Sequence, residues 1–165
     1  MRRVTLLLLA VVFVVESTAA FAQAGRIPVW MPGTVIAVDG SYVVTRNIFS
    51  PGPPAITILA ANVDLDLNGM TLTGIAGGPP VISIPGPVTE IRIHNGRIAS
   101  GGMSIDAAGM GRKLVIEKVH SQDASGPGPG AIHAFDIENV IIRLSTVVGA
   151  ANPWSIAIDG GILGK

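Results

Sequence analysis

A chain of 165 residues with 11 basic and 11 acidic side chains carries no formal net charge, which removes the electrostatic basis for binding nucleic acid. It contains no cysteine, so neither a disulfide framework nor a thiolate metal site holds it, and packing alone must supply its stability. Its 21 glycines and 12 prolines stay below the roughly 25–30% that marks disorder, and a composition 48% hydrophobic but only 4% aromatic suits a narrow aliphatic core cut by many turns.

Residues 1–22 read as a secretory signal peptide. Arg2 and Arg3 open it, Val4 to Val15 form a mostly apolar stretch, and Ala20-Phe21-Ala22 is the small-x-small pattern that precedes cleavage. The apolar stretch is shorter than the roughly 20 residues a bilayer span needs. The expectation is therefore export to a secreted or periplasmic location with no transmembrane anchor. The flanks of the twin-arginine signal are missing, which favours a Sec-type route. Removing Arg2, Arg3 and Glu16 leaves 9 basic and 10 acidic residues, still no basic surface for nucleic acid.

Residues 23–48 follow as an N-terminal cap region, in which "GTVIAVDGSYVVTRNI" fits strands that cover a first coil and protect its edge. Residues 49–165 repeat. The strands "ITILA", "VISI", "MSID", "AIHAF" and "WSIAI" place Ile56, Ile82, Ile105, Ile132 and Ile156 at separations of 26, 23, 27 and 24. A second series, "VDLDLNG", "EIRIHNG", "KLVIEKV" and "NVIIRLS", places Leu65, Ile91, Leu114 and Val140 at separations of 26, 23 and 26. Leu67, Ile93, Ile116 and Ile142 repeat those offsets, and a third, weaker strand follows in "MTLT", "RIAS", "HSQD" and "TVVG". Pro- and Gly-rich loops of varying length stop each strand, as a solenoid tolerates.

Three short strands per coil with apolar residues in register, carried by "ITILAANVDLDLNGMTLTG", "TEIRIHNGRIAS" and "LVIEKVHS", resemble the right-handed parallel β-helix of the pectin-lyase-like superfamily. The resemblance covers roughly residues 48–160 and implies an all-β solenoid of about five coils. The chain stops at "IDGGILGK", partway through a coil. A short or C-terminally truncated member is expected, with an uncapped last coil open to self-association.

With those offsets, strand alternation predicts three outward columns whose members lie about 4.8 Å apart. They are Asp64, Glu90, Lys113, Asn139; Asp66, Arg92, Val115, Ile141; and Asn68, His94, Glu117, Arg143. Opposite charges then adjoin at Glu90/Lys113, Asp66/Arg92 and Glu117/Arg143, and like charges only at Asp64/Glu90. As a solvated face, such pairs contribute about 0.2–1 kcal/mol each. What the resemblance implies is sharper: family lyases and hydrolases bind polysaccharide on an external face with acidic Ca²⁺ ligands beside a catalytic residue. Asp64, Asp66 and Glu90 are then cation candidates, with Asp64 and Glu90 as the nearest pair, and Arg92 or His94 as base. The family's Gly-His-Gly, Arg-Ile-Lys and paired-aspartate motifs are all absent.

Other chemistry has little support. His94, His120 and His133 lack zinc-ligand spacing, and Met70, Met103 and Met110 are scattered gap-fillers. Trp30 and Trp154 read as packing or edge cover, and no P-loop, Gly-x-Ser-x-Gly or dinucleotide fingerprint occurs. Asn68-Gly69 and Asn95-Gly96 read as turns one residue out of register, with Lys118-Val119 and Leu144-Ser145 near the same place in later coils. The reading is an exported, non-catalytic β-helix module without a resident cofactor. It presents Asp64, Asp66, Glu90, Arg92, His94 and Glu117 to carbohydrate or another envelope component. The alternatives are a polysaccharide lyase or hydrolase using Ca²⁺, and an N-terminal fragment of a longer repeat protein.

Overall fold

The computed structural model describes residues 25–123, 131–149 and 156–159; the expected signal peptide and Trp154 lie outside the described residues. Among the described residues there are fifteen strands and no helix. They are β1 (Ile27–Val29), β2 (Thr34–Ile36), β3 (Gly40–Val44), β4 (Ile48–Phe49), β5 (Ile56–Ile58), β6 (Asn62–Asp66), β7 (Thr71–Ala76), β8 (Ile82–Ile84), β9 (Glu90–Gly101), β10 (Ile105–Ala107), β11 (Gly111–Asp123), β12 (Ile132–Phe135), β13 (Ile137–Arg143), β14 (Thr146–Gly149) and β15 (Ile156–Asp159).

Every pairing is parallel and joins one coil to the next, giving a right-handed parallel β-helix of about four turns. One sheet runs β2-β5-β8-β10-β12-β15. A second, the front sheet, runs β1-β3-β6-β9-β11-β13. The third face is formed by β4, β7 and β14 against the far halves of β9 and β11, which bend and so serve two faces.

The isoleucine column is in register as its spacing predicts: Ile56 pairs with Ile82, Ile82 with Ile105, Ile105 with Ile132 and Ile132 with Ile156. The first four are fully buried. Each such side chain removed from water contributes about 1.5–3 kcal/mol. Leu65, Leu67, Ile91, Ile93, Leu114 and Ile116 close the core from the front. The serines buried inside are satisfied: Ser121 Oγ donates to Ser104 Oγ at 2.7 Å, and the Ser100 and Ser104 hydroxyls meet at 3.3 Å. The segment before residue 49 is wound in the same way. β2, β3 and β4 pair in parallel with β5, β6 and β7, while β1 lies on β3.

The front sheet departs from the expected register between two coils. Val63 faces Ile91 and Leu65 faces Ile93, whereas the uniform offset sets Leu65 against Ile91. The step along the chain from Asn62 to its partner Glu90 is therefore longer than the step past the bend, from Thr71 to its partner Arg97. The surplus sits in the bend. The stretch from Leu67 to Met70 separates β6 from β7, where only Asn95 and Gly96 separate their partners His94 and Arg97. Asn68 and Gly69 both have positive φ, 53° and 74°, and Met70 N donates to Leu67 O at 2.8 Å. This is the type I′ turn that Asn-Gly favours.

The later bends are tighter but share one device. Asn95, Lys118 and Leu144 each adopt left-handed φ, 60°, 53° and 51°, so Asn68 and Asn95 occupy the same corner and the corner continues undiminished into the last coils. A Cβ on Gly96 would lie 2.3 Å from Leu67 Cβ, so glycine is required where this corner closes on the one before it.

Candidate functional site

The outward side of the front sheet carries every candidate residue, but with different neighbours from those expected. Asp64 stands beside Arg92, and Asp66 beside His94. Glu90 adjoins Asn62 on one side and pairs with Lys113 on the other. The Asp64/Glu90 pair of like charges and the Asp66/Arg92 ion pair are therefore not formed. Asn68 lies in the turn, not over His94. Glu90/Lys113 and Glu117/Arg143 are formed as expected. The physical reason is the two-residue slip, which preserves inward and outward phase and so leaves no trace in the alternation.

Asp66 forms the first node. It is buried, and Arg26, not Arg92, neutralises it. Its Oδ1 also accepts Asn68 N at 2.7 Å and Asn95 Nδ2 at 3.1 Å. Burial pushes the Asp66 carboxyl up, but these hydrogen bonds and the nearby His94 outweigh it and hold the group below the usual aspartate range. Glu117 forms the second node. Its Oε2 accepts Arg92 Nη2 at 2.7 Å and Arg143 Nη2 at 3.1 Å, and the two guanidiniums hold its carboxyl down. The same bond raises Arg92.

Between the nodes lies an unusual contact. His94 Nε2 and Asp64 Oδ1 approach to 3.2 Å, and Arg92 Nη1 lies 3.7 Å from the same oxygen. Both Nε2 and Oδ1 are buried, yet neither makes a hydrogen bond, so the close approach is not aligned as a bond. Val115, next along this column, is also covered, while Ile141 beyond it is exposed.

Along the edge of this network runs a shallow groove lined by Asp39, Asn62, Asp64, Glu90 and Arg92. Asp39 caps it, accepting Asn62 N at 2.9 Å and Asn62 Nδ2 at 2.7 Å. The Asn62 side chain, then its backbone, hold the Asp39 carboxyl below its usual range. Asp39 and Asn62 were not among the candidates read from the sequence, although "VDG" and "NVD" stand one coil spacing apart.

Among the described residues no group of three or more His, Cys, Asp or Glu side chains converges as a metal site would require. Asp64, Asp66 and Glu90 are parted by Arg26, Arg92 and Lys113. On the β10–β12 sheet His133 Nδ1 contacts Asp106 Oδ1 at 2.8 Å, a pairing that the sequence reading missed even though Asp106 and His133 also stand one coil spacing apart. Trp30 is half-exposed near the first coil, and its carbonyl accepts Arg46 Nε at 2.8 Å. No helix among the described residues is long and apolar enough to cross a membrane.

Comparison of the chain with protein-family models, with curated proteins and with solved structures gives no match.

Proposed function

We propose that this chain is an exported, non-catalytic β-helix module that binds polysaccharide on its front sheet. The observation that carries the reading is the groove of Asp39, Asn62, Asp64, Glu90 and Arg92. Its acceptors and donors alternate from coil to coil at about 4.8 Å, a step comparable to one sugar ring, and rigid strands hold them in place. Carboxylates, amides and guanidiniums so displayed suit the vicinal hydroxyls of a glycan.

The ionisation pattern supports binding over hydrolysis. Where carboxyls on this face are shifted, at Asp39, Asp66 and Glu117, all are shifted down. A proton donor working at neutral pH needs the opposite shift.

The test is a glycan array followed by titration of the chain with each hit. Saturable binding that Asn62→Ala and Asp64→Ala each weaken is the expected result. Absence of binding to any polysaccharide, or binding indifferent to both substitutions, refutes the reading. Export is tested separately by N-terminal sequencing of the protein recovered outside the cytoplasm, which should begin at Gln23; recovery only inside the cytoplasm with residues 1–22 intact refutes it.

A further inference from the structure

One bend away from the front sheet the coils form a second groove, lined by Gly69, Asn95, Arg97, Lys118, His120 and Thr146. Its position follows from the register. Arg97 pairs with His120 and His120 with Thr146, so the three occupy equivalent places on adjacent coils, roughly 4.8 Å apart. Lys118 is the left-handed residue of the bend that leads into His120. The Asn68-Gly69 turn, longer than the bends that follow it, supplies the remaining wall.

The charge in this groove is unlike that of the front sheet. There each of Arg26, Arg92, Lys113 and Arg143 faces a carboxylate. Here, among the described residues, neither Arg97 nor Lys118 nor His120 has an ion-pair partner or a side-chain hydrogen bond. Arg97 and Lys118 are exposed and His120 is half-buried. The nearest carboxylate in sequence, Glu117, is already shared by two arginines. Among the described residues, two permanent cations and an imidazole thus line one concave surface with no carboxylate paired to them.

We propose that this groove binds a phosphate group. A planar carboxylate is satisfied by a single guanidinium fork and would leave Lys118 and His120 idle. A phosphate carries about −1.5 to −2 charges at neutral pH and three strong acceptor oxygens, which matches donors arriving from three positions on two coils. Thr146 lies within the same lining, and its hydroxyl suits the ester side of the ligand. The site takes free phosphate or a phosphate monoester on a sugar. It does not depend on glycan binding by the front sheet, from which its residues are separate.

Calorimetric titration of the chain at low salt with inorganic phosphate, glucose 6-phosphate and acetate tests the site. Phosphate should bind saturably and acetate about tenfold more weakly or not at all, a gap of about 1.4 kcal/mol. Arg97→Gln and Lys118→Asn should each weaken phosphate by about tenfold, the size of one charge-assisted bond. Asn is chosen at 118 because it tolerates left-handed backbone, so the bend survives the loss of charge. Arg112→Gln removes an exposed cation of β11 outside the groove and should leave the affinity unchanged. Tighter binding of glucose 6-phosphate than of phosphate identifies a sugar phosphate as the occupant; equal or weaker binding identifies the free anion. Acetate binding as well as phosphate, Arg112→Gln weakening binding as much as Lys118→Asn, or no saturation with either phosphate would each overturn the proposal.

Discussion

The same strands, β9 and β11, treat charge in opposite ways on either side of one bend. Before it, Arg92 and Glu117 belong to a lattice in which Arg26, Asp66, His94, Asp64 and Arg143 interleave over the four coils of β6, β9, β11 and β13. After it, Arg97 and His120 sit on adjacent coils with no acid between them. Apart from the unaligned contact of His94 Nε2 with Asp64 Oδ1, the lattice is paired within the molecule and contributes to holding the coils in register. The bare cations make no such bonds, and a groove that gathers them suits an anionic ligand. Charge that is paired serves structure, and charge left unpaired in a concavity is available for a ligand.

The sharpest break of this comparison removes what both regions rest on. Leu67 is fully buried beneath the bend, and Leu67→Ala should cost about 2–5 kcal/mol in chemical denaturation; a cost below about 1 kcal/mol would show that the corner is not part of the core. Next in size is the lattice itself. Asp66→Asn removes a charge on which Arg26, Asn68 and Asn95 converge, and should cost about 1–3 kcal/mol.

Acid should do the same without mutation. Asp39, Asp66 and Glu117 are all held below their ordinary values of 3.8, 3.8 and 4.5, so the unfolded chain binds protons more readily than the folded one. Their stabilisation is complete above those ordinary values and is lost as pH falls through the lower folded ones. Melting temperature should therefore be flat from pH 7 to about 5 and decline below about 4. A decline already complete above pH 5 would refute this assignment to the three carboxyls.

On the bare side the expected effects are small or favourable. Leu144 is 75% exposed and holds φ of 51°, so Leu144→Gly should raise stability by about 1 kcal/mol as left-handed strain is relieved. Lys118→Asn should change stability by less than about 0.5 kcal/mol. If it destabilises as much as Asp66→Asn, Lys118 has a structural partner and the contrast between the two regions fails.

The coils were legible because Ile56, Ile82, Ile105 and Ile132 must all point into one core, and burial enforces their column. The register of β6 was not, for a reason that lies in strand geometry. Val63, Leu65 and Leu67 offer three inward positions to the two of Ile91 and Ile93, and a slip of two residues keeps every apolar side chain inside. Only the extra length of the Asn68-Gly69 turn decides between the registers, and turn length is set by hydrogen bonds such as Gly69 N to Asn95 O at 2.7 Å. That slip rearranged the candidate site, giving Asp66 to Arg26 and Asp64 to Arg92. The spacing places Lys118 and Leu144 near the same corner, but their left-handed φ was not legible because neither residue favours it; the stacked coils impose it. The second groove did leave a signal: "RIAS" and "HSQD" begin with Arg97 and His120, one coil spacing apart. Lys118 falls at the corner just before "HSQD", but the spacing alone does not show that corner and strand line one groove.

The spare turn at Asn68-Gly69 shows that this molecule is measured in coil height and not in residue number. Extra chain enters between β6 and β7, yet pairing with β9 runs up to Asp66 and His94 before the bend and resumes at Thr71 and Arg97 after it. The same place is therefore a natural splice point. A foreign peptide inserted between Asn68 and Gly69 would be displayed from the rim while the columns beneath it stay aligned, and lineages of such proteins would be free to gain or lose sequence there without changing shape.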